Sequence, residues 1–318
     1  MSTITTKNAD DSKHHCAACG DSDDGGFYGG SLYACTGCNL VKYCNRTCQA
    51  AHRPAHKKAC KKRLAELFDK KLFKQPPPNE DCPICYLQLP IDEVQNMYQS
   101  CCGKMMCCGC VCANTVAAAD TEIFKCVFCR TEASYSDEES IERLKKRVEA
   151  NDAVAMYNLG TYYGLGTMGL RQDHAKELEL LHKSAKLGNH FAHLNLSICY
   201  QTGGIGESDT RKATYHAQLA AMAGNVKARG NLGCDEYNAG NIDRAYKHWM
   251  ISANDGYDLS MKAVQEGYKS GFVTKDDYSK TTRAYGNSID KMKSDDRDRA
   301  AAIRDSMVMG AVRQEDNL

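Results

Sequence analysis

In the second half of the chain the apolar positions carry two periods at once. Within short stretches they follow helical spacing, and the stretches themselves repeat. Leu159, Leu196 and Leu232 stand 37 and 36 residues apart; Ala185, Ala221 and Ala253 stand 36 and 32 apart. Each of these alanines precedes a glycine by three residues (Gly188, Gly224, Gly256). The copies open with NDAVAMYNLGTYYGLGTMG, NHFAHLNLSICYQTGGIG and NVKARGNLGCDEYNAG. Each predicts a helix, a glycine-rich turn and a second helix, so residues 151–256 form a stack of helix pairs. Small residues let the helices cross closely, and the closing glycine suits a left-handed cap. Such stacks bury a continuous core and present a concave surface to a partner protein. Glu177 stands where the later copies have Ala213 and Ala245, and the third copy has a shortened turn. Cys199 and Cys234 lie among apolar neighbours on first helices and are expected in the core. Tyr162, Tyr163, Tyr200 and Tyr237 are expected to pack mostly between helices.

The flanks add further helices. Ser136-x-x-Glu139 is a capping box opening a linker helix over 136–150, with Glu139/Arg143 and Glu142/Lys146 spaced for i,i+4 pairing. Thr274-x-x-Asp277 and Ser294-Asp295-Asp296 mark two helix starts within 257–318, which should cap the stack before RQEDNL frays. Upstream, Leu64, Leu67, Phe68 and Leu72 have helical spacing; they predict a docked helix that ends before Pro76-Pro77-Pro78. Residues 61–80 are then a helix and a stiff linker. The first fifteen residues are polar and read as disordered. No apolar run approaches the roughly 20 residues a membrane span needs, so no membrane association is expected.

Chemistry concentrates between these helices and the N-terminus. Seventeen of nineteen cysteines fall between Cys16 and Cys129. They form two consecutive sets of eight ligand-type positions. The first reads Cys16-x-x-Cys19, Cys35-x-x-Cys38, Cys44-x-x-x-Cys48 and His56-x-x-x-Cys60. The second reads Cys82-x-x-Cys85, Cys101-Cys102, Cys107-x-x-Cys110 and Cys126-x-x-Cys129. Thiolate and imidazole at such spacing suit tetrahedral Zn²⁺, and four ions are expected, two per module. Metal spacing without a secretory address argues for a reducing compartment, cytosol or nucleus. Composition is otherwise ordinary for a globular protein, with a formal charge of +1. Counting four zinc–thiolate sites brings the net charge to about −6. Eleven Lys or Arg between Lys42 and Lys74 face only Glu66 and Asp69. With no interleaved aromatics for base stacking they read as a solvated helix face, and nucleic acid is not an expected partner.

In ligand order, and in the steps Tyr43-Cys44, Cys48-Gln49 and His56-x-x-x-Cys60, residues 16–60 resemble a MYND zinc finger. The resemblance implies interleaved sites: Cys16, Cys19, Cys44 and Cys48 for one ion, Cys35, Cys38, His56 and Cys60 for the other. It also implies a protein-interaction module that takes up proline-containing peptides. Arg53 stands where the family often has a groove-lining tryptophan; Gln49 is retained. His52 is a rival ligand with the wrong spacing to Cys60. The acidic, glycine-rich insert between Cys19 and Cys35 reads as a mobile loop.

Residues 81–131 (DCPICYLQLP, SCCGKMMCCGCVC, KCVFCRT) resemble an all-cysteine RING finger. That implies Cys82, Cys85, Cys107 and Cys110 at one ion and Cys101, Cys102, Cys126 and Cys129 at the other. Lys104 stands at the family's histidine-like step and cannot ligate as an ammonium; Cys108 or Cys112 are alternatives to Cys102. The resemblance further implies a shallow contact surface for a ubiquitin-conjugating enzyme at Ile84, Val127, Phe128 and Arg130, with no covalent chemistry in the module itself. The helix pairs are similar to Sel-one-like repeats, relatives of the tetratricopeptide family. The expected fold is multidomain: two small zinc-stabilised α+β fingers followed by an all-α helix-pair repeat solenoid. The expected function is protein interaction. It is either a RING-type ubiquitin ligase, whose repeats and MYND finger bind substrate, or a non-catalytic adaptor binding a scaffold partner. No phosphate-cradling loop, nucleophile elbow or metal-hydrolase helix occurs, and no segment suggests the cofactor of a methyltransferase.

Overall fold

The computed structural model describes residues 15–20, 32–117, 124–203 and 207–315, without the side chains of 307–315. The expectations for the N-terminal arm, for most of the acidic insert and for the last three residues lie outside them. The chain divides into two compact units, residues 1–74 and 75–318.

The first unit has little apolar material. A two-stranded antiparallel sheet, β1 (Tyr33–Ala34) and β2 (Lys42–Tyr43), leads into the 27-residue helix α1 (Arg46–Leu72). Its buried centre is Cys16, Cys35, Cys38 and Tyr43, so the ligand-type residues are themselves the core. Asn45 caps α1 by accepting from Cys48 N at 2.8 Å. The helix runs as far as the apolar spacing implied, but Leu64 and Phe68 are exposed and only Leu72 is buried. Helical spacing forecast the helix correctly, and of the four residues expected to dock it Leu72 alone is buried.

The second unit joins a small hairpin module to the helical stack. Strands β3 (Asn96–Gln99) and β4 (Lys104–Cys107) pair antiparallel, and α2 (Cys108–Ala117) follows at once. Helix α3 (Asp137–Glu149) starts at Ser136, whose hydroxyl accepts from Glu139 N, as the capping box required. Both expected i,i+4 pairs form on it.

Three pairs of 13-residue helices come next: α4 (Ala153–Leu165) with α5 (His174–Lys186), α6 (His190–Thr202) with α7 (Thr210–Met222), and α8 (Val226–Asn238) with α9 (Ile242–Asn254). The closing glycines take φ of 91°, 101° and 94°, conformations that cost little only without a Cβ. The next residue starts a new helix; Asn189 and Asn225 cap α6 and α8 with their side chains. Ala155, Ala192, Ala220, Ala221, Ala228, Ala245 and Ala253 are almost fully buried at the crossings, with Leu159, Leu181, Leu196 and Leu232 filling between them. Ser184 and Ser252 repeat one tie at equivalent places, donating to Ala153 O and Val226 O at 2.6 and 2.8 Å.

Two sequence readings need correction here. Cys234 is exposed, and Cys199 is only half-buried although it packs against Leu181, Ala185, Ala192 and Leu196. Tyr162, Tyr163 and Tyr200 do pack against the core, while Tyr237 is exposed beside the Trp249 ring. The C-terminal stretch expected to cap the stack also divides. Helices α10 (Asp258–Lys269) and α11 (Lys275–Met292) continue it against α9, whereas α12 (Asp295–Glu315) packs on α2 of the hairpin module.

Candidate metal centres

Among the described residues four groups of ligand atoms converge, and their members are those that the two resemblances implied. Within each group the sulfur or nitrogen atoms all lie within 4.8 Å of one another. In the first unit these are Cys16, Cys19, Cys44 and Cys48, and Cys35, Cys38, His56 and Cys60. In the second they are Cys82, Cys85, Cys107 and Cys110, and Cys101, Cys102, Cys126 and Cys129. Four thiolates at about 2.3 Å from a zinc ion would stand about 3.8 Å apart along tetrahedral edges. The Sγ separations Cys82–Cys110, Cys85–Cys107, Cys102–Cys126 and Cys35–Cys60 are 3.8, 3.9, 3.8 and 3.9 Å. Cys38 Sγ lies 3.1 Å from His56 Nε2, which orients that ring nitrogen to the same centre. The donor sets, three of four thiolates and one of three thiolates and an imidazole, suit zinc.

Local backbone explains how the Cys-x-x-Cys pairs are aimed. In four of the five, all but Cys107-x-x-Cys110 at the start of α2, the N–H of the residue after the second cysteine returns to the carbonyl of the first. These bonds are Gly20 to Cys16, Asn39 to Cys35, Tyr86 to Cys82 and Arg130 to Cys126, at 2.8–3.0 Å. Those four residues take φ of 82°, 54°, 56° and 60°. The tight turn presents backbone N–H groups to the first sulfur. Burial of Cys16 and Cys35 opposes ionisation, but hydrogen bonds from the turn outweigh it and bring each thiol down to about 6. Burial likewise opposes ionisation of Cys82, and the N–H groups of Cys107, Cys85 and Ile84 bring it to about 7. At Cys129 the Thr131 hydroxyl leads, bringing the thiol to about 6. Every group thus holds one thiol predisposed to the thiolate that a metal requires.

The alternatives weighed from sequence resolve by position. His52 belongs to none of the four groups; it hydrogen-bonds Tyr43 OH at 3.1 Å and stacks on His56 at 5.6 Å. Cys48, His52, His56 and Cys60 fall at four-residue intervals on α1, so one helix face serves two centres and their spacer. The vicinal pair Cys101–Cys102 sits in the β3–β4 loop, where Cys102 N and Gly103 N both return to Gln99 O at 3.1 and 2.7 Å. Gly103, with φ of 76°, makes that turn possible. Cys108 and Cys112 lie on α2 outside the groups, Cys108 directed to Val94 O.

Around the second module's centres, Ile84 is 42% exposed and Tyr86 79%. Arg130 is exposed too, while Val127 and Phe128 are half-buried against Cys82, Leu89, Met106 and Cys107. Of the basic residues on and before α1, all but Lys42 and Arg63 are exposed, which fits a solvated face. Among the described residues no helix is long and apolar enough to cross a membrane.

Sequence reasoning missed Arg297, whose guanidinium reaches Cys85, as well as the cap at Asn45. Asn45 was findable, as an N-cap residue just before a helix. Arg297 was not, being separated from its thiol by more than two hundred residues.

Two family profiles match parts of this chain. The MYND finger family profile matches residues 16–60, and the Sel1 repeat profile matches 153–189 and 190–225. The chain carries a MYND finger and Sel1 repeats. The third helix pair follows the second matched repeat directly, and residues 81–131 rest on the geometry above. A curated relative from Arabidopsis thaliana, the ERAD-associated E3 ubiquitin-protein ligase component HRD3B, is 31% identical over 98 residues. The match covers 30% of this chain and 15% of that protein's length. Among solved structures, a Sel1 repeat protein from Oxalobacter formigenes superposes with a TM-score of 0.42 at 23% identity, over 48% of this chain and 64% of that one. A protective antigen of uropathogenic Escherichia coli displaying an SLR fold gives 0.40 at 21%, over 50% and 34%. The architecture is a zinc-finger and Sel1-repeat protein-interaction architecture.

Proposed function

We propose that this protein is a RING-type ubiquitin ligase, with the sixteen grouped residues as ligands of four zinc ions. Residues 81–131 recruit a ubiquitin-conjugating enzyme, and the repeats and MYND finger hold the substrate. The observation that carries the reading is the interleaving in the second module. The first cysteine pair shares a centre with the third, and the second pair with the fourth. That arrangement sets the Ile84 turn and the Arg130 turn at different centres of one rigid module. An exposed isoleucine on such a turn suits an apolar contact with the conjugating enzyme, and an exposed arginine suits hydrogen bonds to enzyme and ubiquitin. Catalysis is then positioning of a thioester made elsewhere. The relative named as a ubiquitin-ligase component supports the same setting. Zinc–thiolate centres of this number suit a reducing compartment, cytosol or nucleus.

The half-burial of Val127 and Phe128 favours a second reading. It narrows the apolar surface open to an enzyme and suits a non-catalytic adaptor. An autoubiquitination assay across a panel of conjugating enzymes separates the two. The ligase reading expects activity that falls at least tenfold in both Ile84→Ala and Arg130→Ala at unchanged zinc content. Absence of activity with every enzyme supports the adaptor.

A further inference from the structure

Arg297 is a buried cation that neither the zinc-finger nor the repeat reading uses. It lies in the first turn of α12 and is 7% exposed. Its Nη1 donates to Gln88 O and Met292 O, both at 2.7 Å. Its Nη2 donates to Leu87 O at 3.2 Å and approaches Cys85 Sγ at 3.5 Å. The guanidinium also interacts with Cys107. It therefore faces one thiol from each pair of a single candidate centre, and it clamps the backbone just after the first pair. Backbone contact reinforces the seat: a Cβ at Gly109, between Cys107 and Cys110, would lie 2.8 Å from Arg297 N and 3.0 Å from Asp296 C.

Zinc with four thiolates carries a net charge of −2, which is costly in a half-buried site unless donors and cations surround it. Outer donors to the ligating atoms typically change metal affinity by about 10–100-fold. An arginine suits this task because it stays protonated and its planar fork can serve sulfur and carbonyl acceptors together. Conversely, a buried guanidinium facing neutral thiols loses the charge that compensates its own desolvation.

We propose that Arg297 is an outer-sphere partner of the Cys82, Cys85, Cys107 and Cys110 centre, and that metal occupancy there and docking of α12 on α2 stabilise each other. Such coupling is reciprocal. The C-terminal helix slows loss of one ion, and the ion holds the C-terminal helix in place. The coupling is a property of the chain, with or without ubiquitin transfer.

The test uses the full-length, zinc-loaded protein. Zinc release to a chromogenic chelator is followed in wild type, Arg297→Leu, Arg297→Lys and Gly109→Val, with Arg299→Gln as a surface control on the same helix. One of four zinc equivalents should leave about tenfold faster in Arg297→Leu and in Gly109→Val, which displaces the helix while keeping the guanidinium. Arg297→Lys should fall between, and Arg299→Gln should match wild type. In parallel, hydrogen exchange of residues 295–306 is compared in zinc-loaded and chelator-stripped wild type, with 153–225 as the fold control. Protection lost on stripping in 295–306, with the repeats still protected, supports the coupling. Identical release profiles in wild type and both undocking variants, or unchanged protection of 295–306 after stripping, would overturn it.

Discussion

Tyr98 of the hairpin module donates its hydroxyl to Asp152 at 2.7 Å, and Asp152 is at the same time the N-cap of the first repeat helix. The carboxylate also receives Arg147 from α3, at 2.8 Å, and the backbone N–H groups of Val154 and Ala155. Burial opposes its ionisation, yet the Tyr98 hydroxyl, Arg147 and the Ala155 N–H outweigh that and hold its carboxyl below the usual range. One acid therefore joins β3, α3 and α4. Beside it, Tyr157 donates to Glu93 at 2.8 Å and Lys227 lies 3.5 Å from Asp92. The hairpin module thus lies against the first helices of the repeat pairs.

Asp152→Ala should destabilise the second unit by about 3 kcal/mol, combining a lost cap with an unpaired buried donor. Tyr98→Phe should cost about 1 kcal/mol. Urea unfolding of both and of the double variant gives the coupling, which should exceed 0.5 kcal/mol in magnitude for groups sharing a hydrogen bond. Additive effects would mean that the module and the repeats are energetically separate.

The single tryptophan reports on the third helix pair. Trp249 donates from Nε1 to Gly230 O at 3.2 Å, and a Cβ at Gly233 would fall 2.4 Å from the same nitrogen. Gly233→Ala should therefore move the indole, at a cost of about 1–3 kcal/mol from overpacking. Tryptophan fluorescence should shift to the red with a lowered melting temperature. An unshifted spectrum at wild-type stability would refute the close packing.

A histidine cluster contributes to the pH dependence, alongside the shifted His248 and Asp255. His193 and His216 share an Nδ1–Nδ1 hydrogen bond of 2.9 Å, with His182 and Tyr200 packed against His216. Burial, aided by the neighbouring His193 and His182, lowers His216 to about 4, and burial lowers His190 to about 4 as well. Lowered values mean that the unfolded chain binds more protons. This contribution to stability is complete above about pH 6.5 and is lost as pH falls toward about 4. The urea midpoint should drop across that window, and His216→Phe should reduce the slope by up to one proton, about 1.4 kcal/mol per pH unit. His216 is outside the four ligand groups, so zinc loss should cancel in the comparison. Parallel curves for variant and wild type would contradict the assignment.

Arg130 separates fold from function. Its φ of 60° is a left-handed conformation that costs a side-chain-bearing residue about 1–2 kcal/mol. Gly20 meets the same demand in the first unit with glycine. Arg130→Gly should raise stability by up to about 1 kcal/mol while lowering ubiquitin transfer to the level of Arg130→Ala. A stabilised variant with undiminished transfer would remove Arg130 from the proposed contact surface.

What the sequence made legible follows from locality. Cysteine pairs, the capping box at Ser136 and the glycines closing each repeat express their structure within a few residues, and each stands where its spacing put it. The partition of ligands into groups needed the family resemblances, because spacing alone does not say which pairs share an ion. Arg297 at Cys85, Tyr98 at Asp152 and the departure of α12 from the stack join residues far apart in sequence, with no local signature. Leu64 and Phe68 show the opposite limit. Their helical spacing is real, but periodicity does not tell whether anything covers the face.

The central claim is that four metal ions organise the fingers, whose buried centre in the first unit is made of the ligands themselves. Native mass spectrometry of the zinc-supplemented full-length protein measures this directly. The account predicts four zinc ions per chain, with stepwise loss of two on replacing Cys38 and Cys48 by serine. Two or fewer ions bound to the wild-type chain would contradict it.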